Sequence, residues 1–151
     1  MKPFFVLIIT FILSLLVLKF FAGGRDLALA GNIAMSIMLL FTAIGHFAYT
    51  KGMEMMLPAF MPFKTFFVQV TGFVEIAAAI GLLMPSLQLP VAYLLIFFFL
   101  LIIPCNIYAA VKKVDYQEGT YTGEGVSYLW FRVPLQVLFI AWVYFCNIHH
   151  S

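Results

Sequence analysis

Several polar side chains interrupt the long apolar stretches of this sequence, and they are the residues whose types could support chemistry. An ionisable side chain at the centre of a membrane helix costs about 2.5–3.5 kcal/mol to insert, so such residues are usually kept for pairing or for function. The candidate catalytic residues are Glu75, Arg132 and His46, and the candidate ligand-binding residues within the apolar stretches are Asn106, Gln136 and Gln69.

The chemistry expected of this set is proton exchange combined with recognition of a polar head group. The predicted helices place most of these side chains at similar depth, in the half of the membrane nearest the cytoplasm, with Glu75 near the midplane. We therefore expect one shared pocket in which Arg132 pairs with Glu75 or Glu54. Asn106 and Gln136 would complete the hydrogen bonds. The alternative is that a buried Glu–Arg pair only fixes the register of the helices.

The elements that must position these residues are five apolar stretches. A helix of about 20 residues crosses a ~30 Å hydrocarbon core. Apolar residues make up 65% of the 151-residue chain and charged residues 9%, which excludes a soluble domain. We predict a single all-α domain over residues 1–151, a polytopic membrane helix bundle in the lipid bilayer. It has a four-helix core plus one additional N-terminal transmembrane helix, with helices at approximately 4–22, 27–49, 66–84, 89–110 and 129–148.

The first stretch has a second interpretation, because Lys2 followed by an apolar run and small residues is also typical of a signal peptide. We favour a retained helix, since no clear cleavage site follows the run. Lysine and arginine in short connections stay in the cytoplasm during insertion. Their distribution predicts a cytoplasmic N-terminus and an external C-terminus: Lys2, Lys51, Lys64, Lys112 and Lys113 fall on one side, against Lys19 and Arg25 on the other.

The connection over residues 51–64 is unusually apolar for a loop, with several Met and Phe residues and two prolines. Flexible, polarizable methionines suit the entrance of a site for an apolar ligand. We interpret the connection as an interfacial or re-entrant segment, with Glu54 at the cavity mouth and Met61 among the ligand-binding residues. Plain packing on the membrane surface is the alternative.

Composition and spacing also argue against several cofactors and partners. Cys105 and Cys146 are too far apart in the sequence to form a thiol redox motif or a zinc site. A pair of axial haem ligands is not expected, because no second histidine lies at the same membrane depth as His46. His149 and His150 follow the last predicted helix, on the opposite side of the membrane. No flavin motif is present. The basic residues are scattered singly, which argues against a nucleic-acid partner.

Short motifs follow one another along the chain: Gly45-His46-Phe47, Met61-Pro62, Thr71-Gly72, Glu75-Ile76, Pro104-Cys105-Asn106-Ile107-Tyr108 and Arg132-Val133-Pro134-Leu135-Gln136. In this order they resemble the DoxX family of small bacterial membrane proteins, over about residues 35–145. The resemblance implies a four-helix bundle in the bacterial inner (plasma) membrane and a link to the quinone-linked oxidation of sulfur compounds, and it adds Tyr108 to the ligand-binding residues. The first helix and Cys105 depart from the family pattern.

Three functions are compatible with these residues. The first is a quinone-linked redox protein or the membrane subunit of an oxidoreductase, in which His46, Asn106 or Arg132 binds the head group and Glu75 handles protons. Its electrons would come from a partner subunit. The second is a binder, carrier or isomerase for a small hydrophobic molecule. The third is a non-catalytic assembly or scaffold role. We favour the first, on the resemblance to DoxX proteins.

Overall fold

The computed structural model describes residues 2–24 and 26–149. Arg25 and His150, which entered the predictions of topology and of haem ligation, lie outside the described residues. A 3-10 turn at Gly125–Tyr128 precedes the last long helix, and a π-helical turn at Tyr144–Ile148 extends it. The α-helices are α1 (Lys2–Phe21), α2 (Leu27–Ala48), α3 (Thr50–Met55), α4 (Lys64–Leu83), α5 (Gln88–Val111) and α6 (Leu129–Val143).

Within the described part of the chain, five helical stretches are long and apolar enough to cross a membrane: Lys2–Phe21, Leu27–Ala48, Lys64–Leu83, Gln88–Val111 and Gly125–Ile148. Large apolar side chains such as Phe97 and Leu101 are exposed on their outer faces. An apolar surface of this kind is stable against lipid and unstable against water. The chain is therefore a multi-pass membrane protein, and the predicted all-α architecture is confirmed.

Helices α2, α4, α5 and α6 form a bundle. α2 packs along α4, α4 contacts α5, α5 packs against α6, and the π-helical turn after α6 contacts both α2 and α5. Helix α1 packs on the outside of α2, where Leu7 and Ser14 are its buried residues. This is the predicted four-helix core with one additional N-terminal helix. The centre of the bundle is filled by apolar side chains, including Met35, Met38, Leu39, Leu82, Leu95, Phe99 and Phe139.

The connection over residues 51–64 begins with α3 and continues as irregular chain. Gly52 on α3 is buried against the loop between α5 and α6, and an added Cβ at this position would overlap the carbonyl oxygen of Tyr116. This contact packs α3 directly on that loop. Pro58 lies in the irregular part, where the absence of its N–H breaks no helical hydrogen bond. Whether the segment lies at the membrane surface or re-enters the membrane stays a prediction.

The loop between α5 and α6 is organised by Asp115. The Asp115 carboxylate accepts hydrogen bonds from the backbone N–H groups of Gln117 at 3.0 Å and Glu118 at 3.2 Å, which fixes a tight turn. The neighbouring Tyr116 packs edge-on against Tyr49, with ring centroids 6.0 Å apart. The turn therefore holds Tyr116 at the end of the bundle where α2 meets α3.

Candidate functional site

A histidine and a glutamate lie face to face between α2 and α4. His46 Nε2 is 3.5 Å from Glu75 Oε1, and the two side chains are only 15% and 7% exposed, respectively. Leaving either group charged and alone in an apolar environment would be costly, whereas opposite charges at this distance stabilise each other. The His46–Glu75 pair is thus a largely buried acid–base pair held between two membrane helices.

The pair forms because α2 and α4 approach each other very closely. Gly72 faces His46 across the helix interface, and an added Cβ on Gly72 would lie 2.9 Å from His46 Cβ. Further along the same interface, Ser36 Oγ donates a hydrogen bond to the carbonyl oxygen of Ala79 at 2.8 Å. Small residues and interhelical hydrogen bonds of this kind are the usual means by which membrane helices associate.

Two threonines complete the hydrogen bonds around the pair. Thr42, four residues before His46 on α2, donates its hydroxyl hydrogen to Glu75 Oε2 at 2.9 Å. Thr71, four residues before Glu75 on α4, lies with its hydroxyl oxygen 3.1 Å from His46 Nδ1. Residues four apart share one helix face. Each helix therefore supplies one ionisable group and one hydroxyl to the site.

These contacts decide which nitrogen of His46 carries the hydrogen. His46 Nδ1 lies 3.0 Å from the carbonyl oxygen of Val68, and a carbonyl oxygen can only accept a hydrogen bond, so Nδ1 is the donor. Nε2 is then the ring nitrogen that faces Glu75. The arrangement can store one proton and exchange it with a group placed next to it.

Arg132 lies in a second polar cluster, between α5, α6 and the loop that joins them. One guanidinium nitrogen, Nη1, donates to Asn106 Oδ1 at 2.7 Å. The guanidinium also lies over two aromatic rings, 4.9 Å from the ring centre of Tyr128 and 5.4 Å from that of Tyr116. Asn106 is buried, and Arg132 is half-buried. Hydrogen bonding and cation–π contacts therefore stabilise this arginine.

The predicted ion pair between Arg132 and Glu75 or Glu54 is wrong. Among the described residues no carboxylate oxygen lies within ion-pair distance of Arg132, and Glu75 is paired with His46 instead. Glu54 accepts a hydrogen bond from the Thr65 hydroxyl at 2.5 Å. The physical reason is that α2 and α4 are in direct contact at Gly72, whereas the side chain of Arg132 packs against tyrosines at the loop end of α6.

The other predicted ligand-binding residues are spread over the same half of the bundle. Gln136 is buried, and its Oε1 has no hydrogen-bond partner among the described residues. Gln69 is exposed, and Met61 and Tyr108 are half-buried. The predicted set therefore divides into the His46–Glu75 pair, the Arg132–Asn106 cluster and isolated positions, and no hydrogen bond or ion pair among the described residues joins the two clusters.

No three His, Cys, Asp or Glu side chains within residues 2–24 and 26–149 form a group that could hold a metal ion. Cys105 and Cys146 are both free and half-buried. Groups that could contact an organic ligand include the acid–base pair, the amide oxygen of Gln136 and the unused donors of Arg132.

Sequence reasoning missed the residues that surround the two clusters. Thr42 could have been found from its spacing, because it precedes His46 by the same four residues that separate Thr71 from Glu75. Tyr116 and Tyr128 carried no signal, since tyrosines are common near membrane surfaces.

Asn32 was also missed. It is 2% exposed inside α2, in the half of the bundle away from His46, and its Oδ1 has no hydrogen-bond partner among the described residues.

The sequence matches a known protein family over most of its length. Residues 35–147 match the model of a protein family. This region contains both polar clusters, most of α2, and the whole of α4, α5 and α6. No curated protein and no solved structure matches the chain significantly. Because the family model covers more than half of the sequence, the chain belongs to the family described as Domain of unknown function (DUF8561).

Proposed function

We propose that this protein is a DoxX-like protein of the bacterial plasma membrane that binds the head group of a quinone and exchanges protons with it at the His46–Glu75 pair. One observation carries the proposal: a histidine whose Nδ1 is committed to Val68 O directs its other nitrogen at a buried glutamate. Such a pair inside a membrane is a costly feature that proton exchange would explain.

Quinone chemistry suits this environment because quinones are hydrophobic molecules whose reduction consumes protons. A quinone takes up two electrons and two protons to become a quinol, so each carbonyl oxygen becomes a hydroxyl. In this proposal the two electrons come from a partner oxidoreductase subunit. His46 and Glu75 deliver one proton to the reduced oxygen that lies beside the pair, water delivers the second proton to the other oxygen of the ring, and water then reprotonates the pair.

The orientation proposed for the membrane follows from the basic residues near the site. Lys51, Lys64 and Lys112 all lie in or beside the connections at the end of the bundle that carries His46. Lysines in short connections favour the cytoplasmic side. The protein would therefore take up protons for the pair from the cytoplasm, with its N-terminus on the same side.

A second candidate is a binder, carrier or isomerase for a hydrophobic molecule that bears a hydroxyl head group. The observation that favours it is the buried Gln136 Oε1, which has no hydrogen-bond partner among the described residues. A buried acceptor without a donor costs about 1–3 kcal/mol. A ligand hydroxyl that donates to this oxygen would remove that penalty, without any redox step.

The experiment is a ligand-binding comparison in lipid nanodiscs. We expect a short-chain quinone to raise the unfolding temperature of the wild type. It should bind the Glu75→Gln variant about tenfold more weakly than the wild type, because the variant loses one hydrogen bond to a charged group. Glu118→Gln is the matched control, because it makes the same chemical change on an exposed loop residue.

The two candidates give different results in this assay. Stabilisation by a hydroxyl-bearing isoprenoid and not by the quinone, abolished by Gln136→Leu, would select the second candidate. If neither compound changes the unfolding temperature of the wild type, or if Glu75→Gln responds as the wild type does, the proposed proton-exchange site is wrong.

A further inference from the structure

Arg132 carries a positive charge that no carboxylate of the described residues neutralises. A guanidinium has several N–H donors arranged around its edge, and one of these nitrogens, Nη1, donates to Asn106 Oδ1. Intramembrane arginines normally pair with an acidic group or with backbone oxygens. The remaining donors of Arg132 are therefore available to an external acceptor.

Two aromatic rings cover the faces of the Arg132 guanidinium, so a ligand can reach its N–H donors only at the edge. Tyr128 and Tyr116 lie 4.9 and 5.4 Å from the guanidinium carbon, close enough for their rings to cover it. The buried Asn106 holds Nη1 in place from α5. An arginine fixed in this way loses little side-chain entropy when its donors bind the two oxygens of an anion.

The position of the cluster indicates where the anion comes from. Tyr128 precedes Arg132 by one helical turn and Tyr116 belongs to the loop, so the guanidinium lies toward the loop end of α6. Trp130, on the same helix turn, is 85% exposed. Exposed tryptophans of membrane proteins concentrate at the level of the lipid head groups. Arg132 is therefore expected at head-group depth.

We propose that Arg132, oriented by Asn106 and covered by Tyr116 and Tyr128, binds the phosphate group of an anionic phospholipid. A phosphate offers the paired oxygens that match an arginine edge, and in an anionic lipid no cation of the same head group balances its charge. Soluble phosphate has the same chemistry and is the other source to be tested. This site is separate from the His46–Glu75 pair, so the inference does not depend on the proposed quinone function.

The charge of the surrounding loop makes this a single-residue site. Lys112 and Lys113 stand beside Asp115, Glu118 and Glu124, so acidic side chains outnumber basic ones in the loop. A general attraction for anionic membranes by a basic patch is therefore not expected. Retention of an anionic lipid should depend on Arg132 itself and respond weakly to salt, because the contact is half-buried.

The test uses the purified full-length protein in phosphatidylcholine nanodiscs with and without phosphatidylglycerol. We expect phosphatidylglycerol to raise the unfolding temperature of the wild type and to remain bound through purification, as counted by native mass spectrometry. Arg132→Gln should bind it about tenfold more weakly or worse, the loss expected for hydrogen bonds to a charged group. Lys51→Gln is the matched control, since it removes an exposed charge at the same end of the bundle.

Further arms keep the proposal open to contradiction. Arg132→Lys retains the charge but loses the planar edge, and it should bind more weakly than the wild type. Competition by inorganic phosphate would assign the site to a soluble anion, and its absence would assign it to the lipid. The inference is overturned if phosphatidylglycerol and phosphatidylcholine stabilise the wild type equally, or if folded Arg132→Gln or Arg132→Lys retains as much phosphatidylglycerol as the wild type.

Discussion

The interface between α2 and α4 and the junction of α5, α6 and their loop accommodate charged groups in opposite ways. Glu75 is buried, His46 is partly buried, and the two face each other at 3.5 Å. Arg132 has no acidic partner among the described residues and is stabilised by an amide and two aromatic rings toward the end of its helix. The first region satisfies its charges internally, whereas the second leaves donors for something outside the protein.

This difference suggests how one half of the bundle could hold two kinds of site. A mutually paired acid and base suits proton exchange, because the proton has two neighbouring places to reside. A fixed, uncompensated arginine suits anion binding, because an oxyanion completes its hydrogen bonds. Three measurements would sharpen or break the comparison.

The largest effect is expected at the closest contact of α2 and α4. Gly72→Val places a side chain where even a Cβ would lie 2.9 Å from His46 Cβ, and overpacking of this kind costs about 3 kcal/mol. The free energy of unfolding, measured by denaturing-detergent titration, should fall by that amount. Gly24→Val is the matched control, because nothing lies within 4 Å of the added Cβ. Equal stability of the two variants would contradict the close packing at Gly72.

A smaller loss is expected from removing one member of the acid–base pair. Glu75→Leu leaves His46 Nε2 without its partner and should lower the free energy of unfolding by about 2 kcal/mol. His46→Leu combined with Glu75→Leu should cost less than the sum of the two single changes, because the second change removes a group already left unpaired. Strict additivity in this cycle would mean that the two side chains do not interact.

The smallest effect is the coupling between the two clusters. Glu75→Gln and Arg132→Gln should lower the free energy of unfolding independently, with an interaction energy below about 0.5 kcal/mol, because the two side chains share no partner. The measurement is a double-mutant cycle by the same titration. A coupling well above that value would restore the single pocket that the sequence predicted.

Much of the architecture could be predicted because it depends on local composition. Runs of about 20 apolar residues cross a bilayer as helices whatever their neighbours are. The same logic singled out His46, Glu75, Asn106 and Arg132, since a polar residue in such a run is exceptional wherever it points. Arg132 and Asn106, two members of the predicted single pocket, form a hydrogen bond, but neither contacts the His46–Glu75 pair.

The partner of Glu75 could not be predicted, because depth alone does not say which helices are neighbours. His46 and Arg132 were both expected near Glu75 in height. Gly72 allows α4 to pack closely against α2 at His46, and this contact makes His46 the partner of Glu75. The role of Tyr116 was equally hidden, since it depends on a loop turn set by Asp115 and on the packing of that loop against α3.

The sequence by itself determined that this chain is a multi-pass helical membrane protein with ionisable residues inside it, because hydropathy and helix length act locally along the chain. Only the tertiary structure decided that these residues form two clusters and that the acid is matched with histidine. Side-chain partners are set by helix contacts over distances of a few ångströms, and those contacts depend on residues far apart in the sequence.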